Sequence, residues 1–211
     1  MTGDLFQHVG DLKESARGLM RSGDYSAALD ALSDAVTLLL DAHEQSGTSG
    51  AIDAGDVRRE LAACYGILGN IFRRMGDPVQ ALAMFKRGAA YEDDVCENRT
   101  NAIILTLMMD PEQLDAIRPS VLEARAILQG QVADARRDDI WAWSDLGVMR
   151  LLSGQHEPGR AAFERVVALG AAPAARASIE RLLGVLSEAL ADSAPETAQA
   201  IGVARRVLES A

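Results

Sequence analysis

A few side chains in this sequence have the types and spacing that chemistry needs. Lys13, Arg17 and Arg21 recur at four-residue steps, so on a helix they share one face. Such a face would favour an acidic segment of a partner. Arg73 and Arg74 form a second cationic spot. The competing reading is that these cations pair with Glu14, Asp24 and their neighbours, each pair contributing little. Glu92, Asp93 and Asp94 offer the hard oxygens that Mg²⁺ or Ca²⁺ takes, but they lack the glycine and spacing of a calcium loop. A solvated connector at a helix end is the simpler reading. Asp138 and Asp139 just before Trp141 have the chemistry of a helix N-cap.

Catalytic sets are scarce. There is no GxGxxG, no Gly-Lys-Ser/Thr, no Gly-x-Ser-x-Gly and no His-Glu-x-x-His. His8, His43 and His156 are scattered: His43 reads as a helix-end dipole partner, and His156 as packing against a turn. Cys64 and Cys96 are far from any His and fall beside apolar helix positions, which predicts two buried thiols and no local zinc motif. We therefore expect no metal, no cofactor and no enzymatic activity.

The composition narrows the partners. The chain has 211 residues and a net charge of −10, with 48% apolar and 25% charged residues. That balance suits a folded protein and disfavours general binding to nucleic acid or to anionic membranes. No run of 18 uncharged apolar residues exists, and no positive cluster precedes an apolar stretch at the N-terminus. A reduced cytoplasmic setting is the expectation.

The elements that would position these residues are helices. Leu5, Val9, Leu12, Ala16, Leu19 and Met20 recur at three- and four-residue steps, as do Ala28, Leu32, Ala35, Leu38 and Leu39. Nothing alternates as a strand would. Gly and Pro punctuate the pattern at Gly23, Gly76-Asp77-Pro78, Pro111, Gly154, Pro173 and Pro195. The result is an all-α chain of ten helices in five antiparallel hairpins, about 4–21 with 24–43, 55–75 with 78–91, 96–109 with 113–136, 139–153 with 156–169, and 174–191 with 195–210. The segment 46–51 has no apolar period and reads as an exposed, mobile loop within an insertion over 44–55.

Two hairpins are copies of one pattern. The second reads Tyr65-x-x-Leu68-Gly69-x-x-Phe72-x-x-x-Gly76-x-Pro78-x-x-Ala81-x-x-x-Phe85, and the fourth reads Trp143-x-x-Leu146-Gly147-x-x-Arg150-x-x-x-Gly154-x-His156-x-x-Gly159-x-x-x-Phe163. Small residues let helices approach, and the aromatics fill the space that is left. The pattern resembles the tetratricopeptide repeat, a helix–turn–helix unit of about 34 residues. The first hairpin follows it at Leu12, Ala16, Gly23, Tyr25, Ala28 and Leu32; the third reads as a degenerate repeat, and 174–210 as a capping hairpin. The resemblance implies a single α-solenoid array over 1–211.

In that family the first helices of the hairpins line a concave groove that binds peptides. An Asn after the repeat glycine often hydrogen-bonds the ligand main chain, which places Asn70 there, with Asn101 at the matching register of the next unit. An amide donates and accepts at once, as a peptide backbone requires. The cations of the carboxylate-clamp type are missing: Gly66, Trp141 and Asp145 stand in their places. An acidic C-terminal tail is therefore not implied as the ligand. Repeat register puts Lys13, Arg17 and Arg73 on the same inner surface. The expected function is a non-enzymatic scaffold or adaptor that binds an acidic or apolar peptide segment of a protein partner through Lys13, Arg17, Asn70, Arg73 and Asn101. The alternative is a regulatory or sensor module that binds a small ligand or short peptide. Homo-oligomerisation through an imperfect cap stays open.

Overall fold

A computed structural model describes residues 2–49, 52–92 and 96–210. Ten α-helices and one 3₁₀ turn run through them, with no strand among the described residues: α1 (Thr2–Ser22), α2 (Tyr25–Ser49), α3 (Ala54–Arg74), α4 (Pro78–Ala89), α5 (Glu97–Met109), the 3₁₀ turn Pro111–Leu114, α6 (Arg118–Ala133), α7 (Ile140–Leu152), α8 (His156–Ala168), α9 (Pro173–Ala189) and α10 (Pro195–Glu209). The chain divides into two compact units, Met1–Asp93 and Asp94–Ala211. Among the described residues no helix is long and apolar enough to cross a membrane.

In the first unit α1 packs on α2, α2 on α3, and α3 on α4, with α1 also touching α3. The three- and four-residue pattern becomes the core: Val9, Ala16, Ala28, Leu32, Ala35 and Leu39 are buried together with Val57, Leu61 and Ile71 of α3. The α3–α4 turn shows how the sequence ends one helix and starts the next. Gly76 takes φ +78°, a left-handed conformation that costs a glycine little. Asp77 then accepts the Gln80 N–H at 2.9 Å, and Pro78 opens α4 where no N–H is needed. Cys64 is buried in α3. Burial pushes its thiol up to about 11, only partly offset by the charge of Lys13.

The second unit is built on Leu107, Val121, Leu128, Leu146, Met149, Phe163, Leu183, Leu186 and Ile201, all buried. Here α7 pairs with α8 and α9 with α10, and α10 also packs on α8. Cys96 is buried, its Sγ donating to the Ala124 carbonyl at 3.7 Å, and both cysteines are free thiols.

Two boundaries depart from the sequence expectation. The expected loop over 46–51 is helical as far as Ser49, while Gly50 and Ala51 lie outside the described residues. Once α2 is anchored, each added residue gains a backbone hydrogen bond without a new nucleation cost. Ser46 supports the extension by donating from Oγ to the His43 carbonyl at 2.7 Å. The expected helix 113–136 instead divides into the 3₁₀ turn and α6, which begins at Arg118. Pro119 explains the late start, since its ring and missing N–H are tolerated in a first turn and not in a helix interior.

Candidate functional site

Neighbouring helices α1 and α3 carry four of the five expected contact residues. Lys13 reaches across from α1 to form an ion pair with Glu60 of α3, and its side chain is only 14% exposed. The cation therefore pairs with a residue 47 positions away, and Glu14 and Asp24 are not its partners. Arg17, one turn further along α1, is exposed and makes no ion pair among the described residues. Together with Lys13 its charge works to lower the Cys64 thiol, against the larger upward effect of burial.

Asn70 and Arg73 form a unit of their own on α3. The Asn70 amide donates from Nδ2 to the Gly66 carbonyl at 3.0 Å and accepts at Oδ1 from Arg73 Nη2 at 2.8 Å. The amide is thus held in one orientation, with one N–H and one lone pair to spare. Partial desolvation, and then the adjacent Arg74, lower the Arg73 guanidinium from its ordinary value. It stays cationic at neutral pH.

Asn101 belongs to the second unit, on α5. Its Nδ2 donates to the Glu97 carbonyl at 2.8 Å, the same bond to the residue four back that Asn70 makes. Its Oδ1 has no partner among the described residues. Of the other candidates, Glu92 is buried, and Asp93 and Asp94 lie outside the described residues. Asp139 is the N-cap of α7, accepting from the N–H groups of Trp141 at 2.8 Å and Ala142 at 3.4 Å. Among the described residues no group of three or more His, Cys, Asp or Glu converges to hold a metal ion.

Sequence reasoning missed Glu60, because nothing local marks a partner on another helix. It also passed over Arg125 and Arg150, although Arg150 stands where the second hairpin has Phe72.

The repeat pattern is explicit in the packing. A Cβ added to Gly69 would lie 2.6 Å from the ring of Phe85, and one added to Gly147 would lie 2.6 Å from the ring of Phe163. In both hairpins the first helix keeps a bare backbone so that an aromatic of the second can press against it. The hairpins are TPR-like. No family model matches the chain, and no curated protein matches it. Among solved structures it is similar to the MamA protein, at 15% identity over 96% of this chain and 91% of that one, with a TM-score of 0.45. It is similar to BtubC from P. vanneervenii at 14% identity, 98% and 91% coverage and a TM-score of 0.43. The TPR2AB domain of yeast Sti1, solved as a complex with pHSP90, matches at 15% identity, 98% and 87% coverage and a TM-score of 0.38. The TPR-like assignment rests on the glycine–aromatic packing of this chain itself.

Proposed function

We propose that the chain is a non-enzymatic protein-interaction scaffold that takes an extended peptide segment of a partner on the α1–α3 face. The observation that carries this reading is the fixed Asn70–Arg73 pair, a half-buried, oriented amide beside an exposed guanidinium on α3. An amide held in advance loses little entropy on meeting a peptide backbone. Arg17 and Arg73 supply positive charge for acidic side chains of the ligand, whereas Lys13 is largely spent on Glu60. Asn101 offers the same amide chemistry on α5 of the second unit.

The test is selection of a displayed peptide library on the full chain, followed by affinity measurement on Asn70→Ala and Arg73→Ala variants with unchanged melting temperatures. Selected peptides should bind the variants about tenfold more weakly, the effect of losing one charge-assisted or oriented hydrogen bond. Peptides that bind both variants as well as the parent would remove the site from this face.

A small-ligand sensor is the second reading. A cleft of about 390 Å³ beside α8 and α10, lined by His156, Glu157, Arg160, Glu196, Gln199 and Val203, supports it. That volume lies in the range of small-molecule sites. Saturable thermal shifts in a metabolite screen, lost on Gln199→Ala, would favour this reading.

A further inference from the structure

The corner formed by α6, α7 and the start of α8 brings two arginines together without a carboxylate. Arg125 of α6 donates from Nη1 to Ser153 Oγ at 3.0 Å, and that hydroxyl donates onward to the Arg150 carbonyl at 3.0 Å. Arg150 of α7 donates from Nη1 to the Pro158 carbonyl at 3.1 Å. Its Nε is shut off from solvent with no hydrogen-bond partner among the described residues. Both side chains are half-buried. Neither forms an ion pair among the described residues, whereas Arg99, Arg136, Arg160, Arg165 and Arg205 of the same unit each meet a carboxylate.

The arrangement is costly as it stands. Burial, and then the charge of Arg125, lower the Arg150 guanidinium from its ordinary value. The chain carries ten more acidic than basic groups, yet among the described residues none of them pairs with either arginine. Arg150 also replaces the aromatic that the matching helix has at Phe72, so the cation displaces a residue type that would pack without this cost. A bound anion would offset it. The charge selects the class of anion: two guanidiniums carry +2, which one carboxylate balances by half. A phosphate monoester carries −1.5 to −2 and three strong acceptor oxygens that two guanidinium forks can share.

We propose that Arg125 and Arg150, the first held in place by the Ser153 hydroxyl, form a binding site for a phosphate-type dianion, either free or carried on a phosphorylated side chain of a partner. The proposal does not rest on the α1–α3 reading, because none of its residues belongs to the first unit.

The experiment titrates inorganic phosphate, a short phosphoserine peptide, the same peptide unphosphorylated, and acetate into the full chain at constant ionic strength, read by calorimetry and thermal melting. Phosphate and the phosphopeptide should bind saturably and raise the melting temperature, while acetate and the plain peptide should not. Arg125→Gln and Arg150→Gln should each weaken binding about tenfold or more. Each substitution removes one of two like charges, so the unliganded variants should melt no more than a few degrees from the parent. If one fails to fold, the other carries the comparison, and Ser153→Ala, which keeps both charges, should show a smaller loss. A phosphopeptide that binds tighter than phosphate identifies a partner side chain as the source; equal affinities identify the free anion. The proposal is overturned if neither phosphate probe binds, if acetate binds as well as phosphate, or if folded variants retain the parent affinity.

Discussion

The hairpin α3–α4 and the hairpin α7–α8 solve one packing problem in the same way and then diverge in everything polar. In each, a glycine of the first helix lies under an aromatic ring of the second, Gly69 under Phe85 and Gly147 under Phe163. Each turns through a glycine with positive φ, Gly76 and Gly154. Each first helix is capped by an aspartate, Asp53 accepting from the Asp56 N–H and Asp139 from Trp141. Beyond that the two differ. Asp77 caps α4, while Gln155 makes no side-chain bond to cap α8. Asp139 is also bonded to Arg136 at 2.6 Å, and Asp53 has no such arginine among the described residues. Phe72 in one is Arg150 in the other. The comparison separates what holds a hairpin together from what is free to vary around it.

The largest effect should come from the shared part. Phe85→Ala and Phe163→Ala each remove a ring that is about fully buried, and each should cost about 3–5 kcal/mol in chemical denaturation. Similar losses would confirm that the two sites are equivalent; a cost under about 1 kcal/mol at either would break the equivalence. The next effect tests the capping difference. Asp77→Ala should destabilise by about 1 kcal/mol, while Gln155→Asp should stabilise by about 0.5–1 kcal/mol by supplying the cap that α8 lacks. No gain from Gln155→Asp would mean that the start of α8 is already satisfied by other means. The smallest effect concerns pH. Burial pushes the Asp139 carboxyl up, but the Arg136 hydrogen bond, the N–H donors of Trp141 and Ala142 and the Arg136 charge outweigh it and hold the carboxyl below the usual range. A depressed carboxyl contributes its stability in full above the ordinary aspartate value of about 3.9, and loses it as pH falls through the lower folded value. Melting curves of Asp139→Asn and the parent should therefore differ at pH 7, begin to draw together as pH falls below about 4, and meet only below the lower folded value; Asp53→Asn is the matching control in the other hairpin.

What could be read from the sequence follows the range of the interactions involved. Gly76-Asp77-Pro78 marks a turn because all three residues act on the backbone within four positions. The Gly69–Phe85 register was legible because sterics fix it: only a residue without a side chain admits the ring. The end of α2 was not, because weak helix formers after His43 say loop, while cooperativity from an anchored helix carries it to Ser49. The candidate site divides along the same line. Asn70 bonding to the Gly66 carbonyl is a one-turn event that the sequence contains in principle. Lys13 meeting Glu60, or Arg125 meeting Ser153 at a separation of 28 residues, depends on which helices become neighbours.

Cys64 has a practical meaning beyond packing. A thiol raised to about 11 is thiolate in only roughly one part in ten thousand at neutral pH, and burial denies access to the rest. An alkylating reagent can therefore modify it only when the first unit opens. Cys96, buried in the second unit, offers the same clock there. The unmodified chain thus carries one internal timer per unit. Peptide-resolved labelling rates at the two cysteines would give the opening frequency of each unit separately, without adding a probe or changing a residue.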